Sequence, residues 1–307
     1  MMELVSAAQA KRMYGGGTHY VDNAPRAATI FTKLGDYMAK GSKLVLSMGR
    51  HSYKDGVLVS KYGKKQARKT GKNRIKGHNE EDVSFVRSPL ARTYQTAEQL
   101  AKGAGLKHRR IATDKRLYSI SDRTERQLEK DIKKAGGKSQ YLKNLIGHSD
   151  SDYEQMYNTV ANPILHYIRD AVKNHAWHSK KGQKKRVESI SHGVALDAAL
   201  VEVLRRNGED IGSIEDIGGA MNELDNFEIT VNNKSRGKPK ISLKYKGRSW
   251  NISPEALGID DSEALEDVED GATIEGLEGL VEGEDYGEND DSESDSDGDG
   301  DSDGGEE

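Results

Sequence analysis

Three short apolar runs each break off at a cation or an imidazole. Lys43-Leu44-Val45-Leu46-Ser47-Met48 ends at Gly49-Arg50-His51. Val83-Ser84-Phe85-Val86 ends at Arg87-Ser88-Pro89, and Arg186-Val187-Glu188-Ser189-Ile190 ends at Ser191-His192-Gly193. Runs of this length read as strands, the first as a fully buried one. Helical patterns follow the last two. One spans Leu90 to Ala101 and is closed by Gly103. In the other, Leu196, Leu200, Val203 and Leu204 recur at i, i+4, i+7 and i+8, before Arg205, Arg206 and a stop at Gly208. Strands alternating with helices predict an α/β fold with a mainly parallel central sheet flanked by helices. Ligand crevices in such sheets lie just past the carboxyl ends of the strands. Arg50, His51, Arg92 and His192 are therefore expected to share one crevice.

The rest of the chain is read around that unit. Tyr153, Met156, Tyr157, Val160, Ile164, Ile168 and Val172 form a stripe expected on a core-facing helix. Asn226 to Val231 and Ile241 to Tyr245 alternate with period two, as in a hairpin that closes the sheet. Ala24 to Ala39 is expected to form a helix with Ile30, Leu34 and Met38 on one face, and Gly15 to Gly17 a plain turn. Residues 254–307 carry 24 acidic and no basic side chains, so the remainder holds 27 acidic against 47 basic residues, a balance of +20. A segment so charged and so poor in apolar residues cannot offset its ordering entropy. The expected organisation is an N-terminal extension (1–40), a globular domain (41–253) and a disordered acidic tail (254–307).

A basic body favours anionic partners. The absence of cysteine excludes thiolate catalysis and zinc–thiolate sites. No apolar run approaches the length of a membrane span, so no membrane partner and a cytoplasmic location are expected. The lysine-rich stretch from Lys61 to Lys76 has a single aromatic, Tyr62, so it offers no stacking platform for bases and nucleic acid is not expected. It reads instead as a solvated loop guarding an anionic substrate. His175 and His178 are expected as surface histidines beside the basic run Lys180 to Arg186, and Arg87 in a surface ion pair.

Two Arg and two His form a kit with a specific chemical use. Phosphoryl transfer spreads negative charge over three equatorial oxygens, so catalysis is mostly positioning and cationic hydrogen bonding. Guanidinium forks bind those oxygens bidentately. A neutral imidazole attacks phosphorus and forms a phosphohistidine that water hydrolyses. No metal and no cofactor are required.

In order and context these residues resemble the histidine phosphatase superfamily, the phosphoglycerate mutase-like proteins. The family's Arg-His-Gly stands here as Arg50-His51-Ser52, and its Gly-x-x-Gln-Ala as Gly63-Lys64-Lys65-Gln66-Ala67. Its second motif is matched by Ser88-Pro89-Leu90-Ala91-Arg92-Thr93-Tyr94-Gln95-Thr96-Ala97, and its third by Ser191-His192-Gly193. Leu224 to Thr230 resembles its late strand. The similarity runs from about Lys43 to Trp250. It implies a phosphoglycerate mutase-like fold, with His51 as phospho-acceptor, His192 as its phosphate-binding partner, and Arg50 and Arg92 as the phosphate clamp. Lys54 is a candidate to reach the phosphate from the His51 loop.

Two departures stand out. Ser52 replaces a Gly, so the loop after His51 is expected to differ in shape. Leu117 is followed by Tyr118 and Ser119, so the position where many members carry a Glu as general acid holds no carboxylate; Asp122 and Glu125 are the nearby candidates. The branch with Asp directly after the second His is excluded by Gly193. The resemblance implies a metal-independent phosphatase acting on phosphomonoesters or phosphoramidates, in phosphorylated small molecules or phosphoproteins. Two alternatives remain: a phosphoglycerate-type mutase, and a non-catalytic module that binds anions or nucleic acid.

Overall fold

The computed structural model describes residues 34, 38–107, 111–118, 122–147, 154, 157–234 and 239–259. Two compact units divide the chain, Met1–Asp270 and Gly271–Glu307, and all described residues belong to the first. The strands are β1 (Lys43–Arg50), β2 (Lys54–Asp55), β3 (Leu58–Val59), β4 (Val83–Arg87), β5 (Ile111–Thr113), β6 (Lys184–Ser191), β7 (Asn226–Asn232), β8 (Lys240–Tyr245) and β9 (Arg248–Ile252). The helices are α1 (Lys61–Arg74), α2 (Ala91–Ala104), α3 (Asp122–Lys134), α4 (Lys138–Gly147), α5 (Asn162–His178) and α6 (Gly193–Arg206).

Seven strands form one sheet in the order β5-β4-β6-β1-β7-β8-β9. β5, β4, β6 and β1 pair in parallel, and β7, β8 and β9 add an antiparallel meander beside β1. This is the mainly parallel α/β fold expected. β1 lies at the centre, and Leu44 to Gly49 are all buried because both faces of the sheet are covered. β6 is likewise buried from Arg186 to Ser191. One polar row crosses the sheet where Glu188, Ser47 and Glu228 are in register. Arg186 ties the two carboxylates together at 2.6 Å each, so the buried charge of Glu188 is paired.

The lysine-rich stretch is a helix, α1, and not a loop. Ser60 caps it by accepting from the Gly63 backbone N–H. Gly63, Ala67 and Gly71 recur every four residues on the buried face, leaving the lysines outside. That face packs on α2 almost backbone to backbone. A Cβ on Gly71 would stand 2.0 Å from the Leu100 carbonyl oxygen, and one on Gly103 would stand 1.9 Å from that of Arg68. Gly103 therefore lies inside α2 as a packing residue, and the helix stops at Gly105 in the left-handed region (φ 77°).

Other boundaries shift for equally local reasons. The stripe expected on one long helix is divided: a π-helical turn at Tyr157–Ala161 precedes α5, with Pro163 in its first turn. Tyr153 and Met156 lie outside the described residues. The hairpin β7–β8 is present but does not end the sheet, because a tight Lys246-Gly247 turn with both φ positive (43° and 80°) leads into β9. Leu34 and Met38 are buried in the main core, and the Asn233 side chain donates to the Met38 carbonyl at 2.8 Å. At the other end Ala256, Leu257 and Ile259 are buried in the same core. Core packing thus includes residues on either side of 41–253, from Leu34 and Met38 to Ile259. Gly15 to Gly17 and residues 260–307 lie outside the described residues. Among the described residues no helix is long and apolar enough to cross a membrane.

Candidate active site

The ends of β1, β4 and β6 lie side by side, so the three polar break-off points of the sequence meet. At the end of β1, the Arg50 backbone N–H donates to Asp225 O (2.9 Å) and that of His51 to Ser191 O (3.0 Å). The loop beyond is fixed by the Ser-for-Gly departure. Ser52 is fully buried; its N–H donates to Thr96 Oγ1 at 3.0 Å and its hydroxyl to Gly63 O at 2.8 Å. A Cβ on Gly63 would lie 2.3 Å from Tyr53 O, so only Gly lets the loop approach α1 so closely. The carbonyl of Ser52 then accepts from His51 Nδ1–H at 2.7 Å, which fixes the tautomer and leaves the Nε2 lone pair free.

His192 follows β6 and stands at the N-cap of α6. Its Nε2–H donates to Ser88 Oγ (2.9 Å), and Ser88 Oγ lies 3.0 Å from Thr93 Oγ1. With Nε2 protonated, Nδ1 accepts from the Arg92 guanidinium at 3.3 Å. Arg92 comes from the first turn of α2 and is 8% exposed. The rings of His51 and His192 are 5.2 Å apart, and Tyr118 lies 4.3 Å from His192.

Burial lowers the pKa of His51 to about 4. The bond to Ser52 opposes the shift, and the charges of Arg92, Arg50 and Lys54 reinforce it. His192 is pushed well below its ordinary value by burial and then by His51, Arg92 and Arg50. Both imidazoles are therefore neutral near pH 7.

Arg50 is held from the other side of the cavity. Its guanidinium donates to Met221 O (2.9 Å) and pairs with Glu223 (2.7 Å). Lys138, at the start of α4, donates to the same Met221 carbonyl and pairs with buried Asp197 at 3.0 Å. Asp197 in turn accepts from the Met221 N–H at 2.8 Å. Leu224 adopts a left-handed conformation (φ 66°), and its carbonyl accepts from Arg74 at 2.6 Å. Gly193 leaves room for this cluster: a Cβ there would lie 3.0 Å from Lys138 Nζ and 3.1 Å from Arg50 Nε.

Arg50, His51, Arg92, Tyr118, Lys138 and His192 line one cavity of about 260 Å³, together with Lys54, Leu117, Leu128, Glu129, Ile132, Val160 and the first turn of α6; Glu223, Asp197 and Met221 stand behind Arg50 and Lys138. Arg50, His51, Lys54, Arg92 and His192, all singled out from sequence, are brought together there. Ser119 lies outside the described residues, as do the side chains of Asp122 and Glu125. Among the described residues Arg87 does not enter the expected ion pair. It donates to the Ser88 and Pro89 carbonyls and lies over the Tyr94 ring, satisfying the turn into α2. His175 is buried, not at the surface, because it follows Ile168 and Val172 on the core-facing side of α5; its pKa falls to about 4 through that burial. Glu223, Tyr118, Lys138, Ser88 and Glu129 were not legible as site residues. No group of three His, Asp or Glu side chains that could hold a metal occurs among the described residues.

The profile of the histidine phosphatase superfamily (branch 1) matches residues 48–226. No curated protein matches the chain. Among solved structures, a mycobacterial glucosyl-3-phosphoglycerate phosphatase is 19% identical, with a TM-score of 0.45 over 68% of this chain and 99% of its own. A phosphoglycerate mutase from Bacillus anthracis is 13% identical, with a TM-score of 0.44 over 72% of this chain and 97% of its own. The protein histidine phosphatase SixA in complex with tungstate is 13% identical, with a TM-score of 0.35 over 69% and 99%. With the profile match covering more than half of its length, the chain belongs to the histidine phosphatase superfamily.

Proposed function

We propose that this protein is a phosphatase that hydrolyses phosphomonoesters or phosphoramidates through a phosphohistidine at His51 Nε2. The observation that carries the reading is the neutral His51 ring, whose Nδ1–H is committed to Ser52 O at 2.7 Å inside a cavity lined by cations. A buried imidazole with one nitrogen so occupied presents the other as a nucleophile at neutral pH. Arg50 and Arg92 are the proposed clamp for the equatorial oxygens. Arg50 Nε–H is buried without a hydrogen-bond partner among the described residues, a donor for one of those oxygens. The α6 N-terminus adds backbone N–H groups and the positive end of a helix dipole. Lys54, exposed on β2, is assigned to drawing the anion in.

In this reading Nε2 attacks phosphorus, the bond to the leaving group breaks, and water later cleaves the P–N bond to release phosphate. His192 orients Arg92 and borders the transferred group. No step is assigned to a metal, and the enzymatic unit is residues 34–259. A 260 Å³ cavity suits a phosphoryl group with a small part of its carrier. The carrier is a phosphorylated metabolite or a phosphoprotein side chain.

The test is covalent. Wild-type protein mixed with a phosphorylated substrate should carry an acid-labile phosphoryl label, and His51→Ala should carry none and turn nothing over. Activity should survive excess chelator. A label that persists in His51→Ala, or activity that chelator removes and Zn²⁺ or Mg²⁺ restores, would overturn the reading.

A further inference from the structure

We infer that Glu129 is the general acid for the leaving group, an assignment that rests on the phosphatase reading above. Ser119 stands two residues after Leu117, at the position where many members of the superfamily carry a Glu. The cavity nevertheless contains one. Among its described lining residues, four are cations, Arg50, Lys54, Arg92 and Lys138, and Glu129 is the one carboxylate. It lies on α3, whose Leu128 and Ile132 also line the cavity. The pair at i and i+4 sets one face of the helix against the cavity wall, and Glu129, exposed beside that face, stands at the cavity's open rim. Among the described residues Glu129 has no ion-pair partner, unlike Glu223, which is held by Arg50, and Asp197, which is held by Lys138.

The other lining groups are poorly suited to the task. His51 Nε2 is the nucleophile, and its Nδ1–H is given to Ser52. The proton of His192 is given to Ser88. Ammonium, guanidinium and phenol groups release protons reluctantly, with ordinary pKa values of about 10 or more. A carboxyl group is the remaining lining group able both to give up a proton and to take one back.

The steps balance. His51 Nε2 bonds to phosphorus, the P–O bond to the carrier breaks, and the departing oxygen takes the Glu129 proton and leaves as an alcohol. The Glu129 carboxylate then takes a proton from water as its oxygen bonds to phosphorus. The P–N bond breaks, and phosphate and a reprotonated Glu129 remain. Alkyl phosphates, whose alkoxide is a poor leaving group, come within range of the enzyme.

The experiment compares leaving groups on the full chain. In Glu129→Gln, kcat for an alkyl phosphate should fall about 10²–10⁴-fold, while kcat for phosphoramidate or 4-nitrophenyl phosphate falls less than about tenfold. The basic limb of the alkyl pH profile should vanish, and Glu125→Gln should behave like wild type. A purely structural role would lower both substrate classes together and leave the pH profile in place. An unchanged alkyl rate in Glu129→Gln, or equal losses on both classes, overturns the assignment. So does a wild-type enzyme that cleaves phosphoramidate but no alkyl ester. In each of these cases a phosphoenzyme lost in His51→Ala leaves the phosphatase reading standing. Absence of any phosphoenzyme in the wild type overturns both.

Discussion

The two walls of the cavity are built on different principles. One consists of the ends of β1, β4 and β6 and the first turns of α2 and α6. Its side chains are aimed by backbone, since a parallel strand that ends beside its neighbours leaves the next residue only a narrow range of directions. The other wall is formed by α3 and the start of α4 and is backed by the 221–225 loop. There side-chain pairs do the aiming: Lys138 is held by Asp197, the Met221 carbonyl by two cations, and Arg50, reaching across from the end of β1, by Glu223. In the proposed mechanism the first wall supplies the nucleophile and the phosphate clamp, and the second borders the carrier.

The comparison predicts that the second wall fails through stability and the first through rate. Asp197 is fully buried, and its carboxylate serves both Lys138 and the Met221 N–H. Asp197→Ala leaves an ammonium uncompensated and should cost about 3–5 kcal/mol in denaturant unfolding. A loss under about 1 kcal/mol would mean that Lys138 simply turns to solvent, and that the wall is not held by ion pairs. On the other side, Arg92→Ala should lower kcat about 10²–10³-fold with a much smaller effect on stability, as removal of a donor to developing charge does. Unfolding of that variant would show Arg92 to be chiefly a brace for His192.

Acid should separate the walls as well. The folded pKa of His51 is lowered from 6.5 to about 4, mainly by burial, and His192 and His175 are shifted the same way. The unfolded chain therefore binds more protons than the native one below pH 6.5. Stability is full above that value and is lost progressively as pH falls towards 4. Histidine proton resonances followed by NMR should place the His51 midpoint about 4; a midpoint near 6.5 would mean that the ring is solvated and not poised as drawn.

How much was legible follows the same division. The strand ends were readable because each run broke off at a polar residue, and a parallel sheet requires such ends to converge. Burial of Leu44 to Met48 on both faces made β1 an unbroken apolar run, the easiest pattern to read. Helix α1 was missed because six of its residues are lysines or arginines facing outward, and its signal is the spacing of Gly63, Ala67 and Gly71 against a partner about 30 residues away. Gly103 reads as a stop because an isolated sequence does not separate a glycine that ends a helix from one that admits another backbone. The second wall was invisible for a related reason. Arg50 and Glu223 are 173 residues apart, and no local pattern marks a carboxylate whose partner is so distant.

The smallest effect tests the contact at which the walls touch. Glu223 pairs with Arg50 at 2.7 Å, and the two side chains are 28% and 20% exposed. A partly solvated pair of this kind is worth at most about 1 kcal/mol. In the proposed mechanism a bound phosphate needs the same guanidinium, so Glu223 would compete with it. Removing the charge while keeping the amide oxygen, in Glu223→Gln, should weaken the competitor without freeing Arg50, because Met221 O still holds the guanidinium at 2.9 Å. KM for an anionic substrate should fall by up to about fivefold at low salt, with kcat nearly unchanged and the difference shrinking as salt rises. The opposite result, a higher KM and a lower kcat at every salt concentration, would show that Glu223 positions Arg50 for the substrate. The second wall would then take part in the chemistry as directly as the first.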